Sequence, residues 1–266
     1  MQKENIKFQS STVLEGMTSL RALFDGRDTA VNDRSIQTVL YDGAKRRSLY
    51  REIGYLRAMA DKHNFLLQET SNEEIEKLAL GTTHGGVIAV CGERTFSPLE
   101  TVIADLPRHG FYAMIQGIED PYNFGYALRS LYACGIDGLI LSKRNWFSAA
   151  GVVARASAGA SERLPVFIAE PDNAVSLFQD HGYAAVCADE RTDNILQSTE
   201  LKKPLLLIVG GERRGISRSV LDAADVIVKI PYAREFRASL SAASAATILA
   251  YEIMRQNGAE RPSVSK

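Results

Sequence analysis

Up to about residue 95 the apolar positions of the chain fall into short runs separated by turn residues and by one basic amphipathic stretch. After Ser35 the pattern IQTVLYDGAKRRSLYREI opens as a β-like run, turns at Asp42-Gly43 and continues as a helix through about Lys62. HNFLLQE reads as a short strand. SNEEIEKLAL reads as a helix in which Ser71 is the N-cap and Glu74 stands three residues later, the capping-box spacing, with Gly81 as its end. The run VIAVC, residues 87–91, is one more strand before polar and proline residues suggest a linker. These units describe a small α/β domain.

Beyond Pro107 the pattern changes to strand-loop-helix units. FYAMIQGI, GLILS, YAAVCAD, PLLLIVGGE and VIVKIP are short runs apolar on both faces, the pattern of a parallel sheet covered on each side. PYNFGYALRSLYACG follows the first of them as a helix. The last long segment, SLSAASAATILAYEIMRQ, predicts a packed helix with Leu240, Ala243, Thr247, Ala250 and Tyr251 along its apolar stripe, and a frayed tail after it.

Composition adds limits. The chain has 266 residues, 45% apolar and 24% charged, with a net charge of −1, the balance of a folded globular protein. No run reaches the ~18 to 20 apolar residues of a membrane helix, and the N-terminal residues lack a signal-peptide core. Cys91, Cys134 and Cys187 form an odd set without a CxxC pair, so reduced thiols, a cytoplasmic location and no zinc or other metal site are expected. A neutral total can still hide a basic face. Lys45, Arg46, Arg47, Arg51 and Arg57, interleaved with Tyr41, Tyr50 and Tyr55, suit phosphates and unstacked bases; a solvated helix with its tyrosines in the core is the plainer reading.

Three segments carry candidate chemistry. In Asp120–Ser130 a strand gives way to a helix, placing Asn123 near the helix start and Arg129 about two turns on. In Val209–Ile216 the glycines Gly210, Gly211 and Gly215 surround Glu212 after a buried strand, where a ligand can lie against backbone. In the third, Ile230-Pro231-Tyr232 leads through an irregular loop to Ser239-Leu240-Ser241 at a helix start. A capped helix, a tight turn and a plain loop are the simple alternatives for each alone.

In this order and spacing the segments resemble the three motifs of the SpoU-type, or TrmH-family, RNA 2′-O-ribose methyltransferases of the SPOUT class. N-x-G-x-x-x-R stands as Asn123, Gly125 and Arg129, and G-x-E-x-x-G as Gly210, Glu212 and Gly215. The third pattern stands as Ile230, Pro231, Ser239 and Leu240, with Ser241 where the family has Asn and a loop one residue longer than usual without its glycine. VLEGMTSLRALF and Thr83-His84-Gly85-Gly86-Val87 are similar to the family's L7Ae/L30e-like domain, although His84 also reads as a turn residue.

The resemblance implies an RNA substrate-binding domain over 1–98, a linker over 99–109, a trefoil-knotted α/β SPOUT domain with a parallel sheet over 110–258 and a flexible tail over 259–266. It implies S-adenosylmethionine as cofactor, held around Gly210, Gly211, Gly215, Ile230, Pro231 and Leu240, and RNA, rRNA before tRNA, as substrate. A homodimer completes the site in the family. Arg129 is implied as base, with Asn123, Glu212, Ser239 and Ser241 positioning it and the ribose, and Arg213 and Arg237 join the N-terminal cations on RNA. A guanidinium with a pKa above ~12 is better suited to holding phosphate and stabilising an oxyanion. Two rivals remain: a Rossmann-type enzyme, disfavoured because no G-x-G-x-x-G opens the α/β domain, and an RNA-binding SPOUT protein that has lost catalysis through Ser241.

Overall fold

The computed structural model describes residues 12–142, 149–211 and 213–258. They divide into two compact units: the described residues of Met1–Thr95 with those of Asn145–Arg163, and those of Phe96–Arg144 with those of Leu164–Lys266. The segment 149–163 therefore packs with the first unit, although the sequence places it within 110–258.

The first unit is built on a four-stranded sheet of β1 (Thr12–Glu15), β2 (Ile36–Asp42), β3 (Leu66–Thr70) and β4 (Val87–Cys91) in the order β1-β4-β2-β3. β4 runs antiparallel to β1 and β2, and β3 parallel to β2. Leu20, Leu23 and Phe24 of α1 (Gly16–Asp28) and Ile53 and Leu56 of α2 (Tyr50–His63) bury one sheet face. Ile75 of α3 (Asn72–Leu78) meets Leu40 and Ile88 in a second, smaller cluster. Ser71 caps α3 as expected, its hydroxyl accepting from Glu74 N at 3.3 Å, but the helix stops at Leu78, short of Gly81. α2 begins later than its pattern suggests. Asp42 accepts from Ala44 N at 2.9 Å and starts a single tight turn over Gly43–Lys45, so the helix waits until Tyr50.

Helices α5 (Ala150–Ala156) and α6 (Ala160–Arg163) are fastened to this unit by close backbone contact and by charge. A Cβ on Gly151 would sit 2.2 Å from the Val13 carbonyl oxygen, so only glycine lets α5 lie on β1. The Glu162 carboxylate, 2% exposed, accepts from Arg34 Nε at 2.9 Å and from Asn32 Nδ2 at 2.6 Å. Burial alone would raise its pKa, yet the Arg34 guanidinium and further donors hold it below the usual carboxylate range.

The second unit is a seven-stranded parallel sheet. Its strands are β5 (Ser97–Pro98), β6 (Phe111–Gln116), β7 (Gly138–Leu141), β8 (Val166–Ile168), β9 (Ala184–Ala188), β10 (Leu205–Gly210) and β11 (Val226–Val228), in the order β11-β9-β10-β6-β7-β8-β5. Tyr112, Met114, Leu206 and Ile208 bury one face against Val175 and Phe178 of α7 (Pro171–Asp180) and Val220 of α8 (Arg218–Ala223). α9 (Ala242–Asn257) packs on α4 (Pro121–Ala133) and on β10.

Two expectations change here. Residues 99–109 are no loose linker, because Leu99 and Ile103 are buried in the core of this unit. The buried stripe of α9 is Ala242, Ala246, Leu249, Ala250 and Ile253, about a quarter-turn from the expected one; of that set Ala250 is buried, while Thr247 and Tyr251 are exposed. Gln256 and Asn257 latch the helix end to the chain at Thr199–Lys203, with Gln256 Oε1 accepting from Leu201 N at 2.8 Å. The tail 259–266 lies outside the described residues.

Removing one member of a buried ion pair leaves the other charge uncompensated, at about 3 to 5 kcal/mol. Glu162→Gln should accordingly lower the unfolding free energy from urea denaturation by an amount in that range, with Arg34 left facing a neutral amide. A loss below about 1 kcal/mol would mean that water reaches Arg34.

Candidate active site

All strands of the second sheet run parallel, so the segments that follow β6, β10 and β11 leave from the same edge. That edge is where open α/β sheets hold ligands, and β6 and β10 are direct neighbours on it. The sequence's three segments are these three connections.

Two of them are locked together by backbone. Gly211 N donates to Gln116 O at 2.7 Å, and a Cβ on Gly211 would lie 2.3 Å from the Gly117 carbonyl oxygen. A Cβ on Gly210 would fall 2.7 Å from the carbonyl carbon of Gly215, which turns back with φ +62° and bridges to Gly211. The glycines at 210 and 211 are thus demanded by the protein's own backbone rather than by a ligand. Gly215 differs, with nothing among the described residues within 4 Å of its Cβ position, and at Gly117 the nearest described atom is Gly215 O at 3.9 Å. Open space over these two residues is room that a bound group can fill.

Gln116 was not singled out from sequence. It ends the apolar run FYAMIQ, and its Oε1 accepts from Ser217 N at 2.9 Å, a second tie between the loops. The one polar residue closing a buried strand was the available signal. Glu212 lies outside the described residues. Arg213, 81% exposed, pairs with Glu119 at 3.1 Å across the same two loops.

Asp120 caps α4, accepting from Tyr122 N at 3.0 Å, and Pro121 takes the first helical position, where its missing N–H costs nothing. Asn123 is half-buried in the first turn and Gly125 is buried. Arg129 is exposed and forms no ion pair with the described residues. Six residues of helix turn it about a third of a revolution from Asn123. Within one chain it belongs to a stripe with Tyr122, Tyr126 and Tyr132, all exposed.

The third connection is exposed from Pro231 to Ser239, with Ile230 and Leu240 half-buried at its ends. Tyr232 and Phe236 meet edge to face at 6.0 Å, and the Tyr232 hydroxyl accepts from Leu240 N at 3.2 Å. Arg237 is 95% exposed and stands 3.8 Å from Glu235, a loose pair. Ser241 is the N-cap of α9, its Oγ accepting from Ser244 N at 3.2 Å, a duty that Asn performs as well as Ser.

The cations expected on RNA are split. Arg213 and Arg237 belong to the second unit; Lys45, Arg46, Arg47 and Arg51 are all exposed on the first. The tyrosines between them separate by role: Tyr41 is buried, Tyr55 is half-buried with Arg21 4.7 Å over its ring, and Tyr50 is 79% exposed. His84 is buried, and its Nδ1 accepts from Gly86 N at 3.1 Å, the bond of a turn residue.

A model of the SpoU rRNA Methylase family matches residues 110–251. A protein of Staphylococcus haemolyticus that carries the name of a TrmH family tRNA/rRNA methyltransferase is 30% identical over 203 residues, 74% of this chain and 80% of its own. A protein of the same name from Staphylococcus saprophyticus is 26% identical over 86% of this chain and 92% of its own. Among solved structures, the AdoMet-bound rRNA methyltransferase of Sinorhizobium meliloti matches with a TM-score of 0.74 at 22% identity, over 92% of this chain and 87% of that one. The fold is shared with that structure.

Overpacking at a backbone-to-backbone contact costs about 1 to 3 kcal/mol. Gly211→Ala should lose that much stability in thermal unfolding, because the Gly117 carbonyl cannot move without breaking β6 from its loop. An unchanged midpoint would show that the two loops are free to separate.

Proposed function

From the premise that the chain belongs to the SpoU rRNA methylase family and is an RNA methyltransferase, we propose that it transfers a methyl group from S-adenosylmethionine to a ribose 2′-hydroxyl, in rRNA before tRNA. The observation that carries this reading is that the three motif loops leave one sheet edge, two of them tied together by backbone, with open space among the described residues over Gly117 and Gly215. The first unit is, in this reading, the L7Ae/L30e-like RNA-binding domain. The trefoil knot of the SPOUT class and a reducing, cytoplasmic setting belong to the same reading. Among the solved structures of this fold, one is titled an RNA 2′-O ribose methyltransferase and another is a SpoU methyltransferase, AviRb, in complex with AdoMet.

The residues present fit such a cofactor. Gly210, Gly211 and Gly215 would supply backbone, Ile230 and Leu240 half-buried apolar contact, and Pro231 a stiff exit from β11. Bound there, S-adenosylmethionine offers a methyl on a cationic sulfur whose charge vanishes on transfer. The protein's task is alignment, which by itself can be worth ~7 kcal/mol or more. Arg129 holds a substrate phosphate and stabilises the oxygen as its proton passes to water while the new C–O bond forms and the C–S bond breaks; Asn123, Glu212, Ser239 and Ser241 keep that oxygen and Arg129 in register.

Arg129 needs company that one chain does not provide, since it stands among tyrosines rather than beside Asn123. Tyr122, Tyr126 and Tyr132 are exposed on α4, and Ile248 and Tyr251, exposed on α9, line a groove of about 390 Å³ together with Ser130, Ala133 and Cys134 of α4. A second copy of the chain is its proposed occupant, bringing Arg129 to the neighbouring site.

With labelled methyl donor and rRNA, Arg129→Ala should reduce transfer at least ~100-fold while calorimetric cofactor affinity stays within about twofold. Retained activity within about tenfold would remove Arg129 from the mechanism. A silent wild type rescued by Ser241→Asn, which keeps the α9 cap, would favour a lapsed enzyme. Independently, Tyr126→Asp with Tyr251→Asp should yield a folded monomer on light scattering that binds RNA and transfers no methyl group; an intact dimer would place the interface elsewhere.

A further inference from the structure

Helix α2 presents its outward face in a way that packing does not explain. Ile53 and Leu56 face the core, and Tyr50, Gly54, Arg57 and Asp61 follow at helical spacing on the opposite side, all exposed. Arg51 flanks this line, and Arg47 precedes it in the turn that leads into the helix. Lys45, Arg47, Arg51 and Arg57 pair with no carboxylate among the described residues, whereas Arg46 has Glu69 at 3.5 Å and Lys62 has Asp28 at 2.6 Å.

Two features of this face are unfavourable for the free protein. Tyr50 leaves 79% of its surface in water. Gly54 sits inside the helix, where glycine is less stable than alanine, and yet no described residue lies within 4 Å of its Cβ position. No described neighbour requires that glycine. A side chain at 54 would lean toward the helix N-terminus, over the surface beside the Tyr50 ring. Its absence keeps the ring open and lets another backbone approach the helix.

We propose that this face of α2 is a track for single-stranded RNA, on which Tyr50 stacks an unpaired base, Gly54 admits the sugar-phosphate backbone, and Arg47, Arg51 and Arg57 hold phosphates. The inference rests on the reading of RNA as substrate and names the form of RNA that the first unit selects. Charge complementarity points to a polyanion. A lone aromatic between cations, without an aliphatic surface, fits a base and phosphates better than an apolar partner. Paired bases keep their faces stacked inside the helix, so the ring selects a loop, a bulge or a strand end. Asp61 closes the line and marks the end of the track.

The test uses the full-length protein and a labelled mixed-sequence RNA of about 16 nucleotides, the upper site size of single-strand-binding OB folds, either single-stranded or annealed to its complement. By fluorescence anisotropy, Tyr50→Ala should weaken single-strand binding about tenfold and duplex binding less than twofold, with Tyr50→Phe close to wild type. Gly54→Leu should weaken single-strand binding about fivefold or more while raising the thermal midpoint, which separates occlusion from misfolding. Wild-type binding by both Tyr50→Ala and Gly54→Leu, or an equal loss on single strand and duplex, overturns the track. A wild type that binds neither RNA overturns the RNA-substrate reading along with it, whereas intact wild-type binding with unaffected variants removes this inference alone.

Discussion

The candidate site depends on the approach of two backbones. Gly211 lies so close to the Gly117 carbonyl that no side chain fits between them. That contact makes one structure of the loops after β6 and β10, and Gln116 repeats the tie from its side chain. Parallel neighbouring strands bring both loops to one edge, but only the absence of Cβ atoms lets them meet. The turn at Gly215 is then left with open space, and α4 starts from a fixed point, which sets where Asn123 and Arg129 can be.

Starting α4 there has a second effect. The helix carries Asn123 half-buried in its first turn and Arg129 on an outward stripe of tyrosines, so the two residues read from one motif face different surroundings. A guanidinium among exposed aromatic rings does little in a lone chain. On α9, Ile248 and Tyr251 are exposed as well. The polar residues of the motif thus divide between a loop cluster and an exposed helix face.

The first unit is held by different means. Its two packed faces are ordinary apolar clusters, but the segment 149–163 joins through the buried Arg34–Glu162 pair and the close seat of Gly151 on β1. Pairing and hydrogen bonding keep that carboxylate ionised in spite of burial. On the outer side, α2 departs from economy at Tyr50 and Gly54, and the departure coincides with cations that form no ion pair among the described residues.

Strands such as VIAVC and PLLLIVGGE were legible because both their faces are buried, and a run of apolar residues records that locally. The Ser71 cap and the three motifs were legible for a similar reason, since caps and loop glycines are set within a few residues. Residues 99–109 could not be read, because the polar and proline residues before them hide Leu99 and Ile103, which the fold buries. The stripe of α9 was misplaced because alanines fit either face, and only the position of α4 and β10 decides which face is inside. Sequence alone therefore determined the elements and the family of motifs, through interactions of short range. Which glycine meets which carbonyl, which tyrosine stays in water and where 149–163 packs were decided by tertiary structure, because they depend on chain far away in sequence.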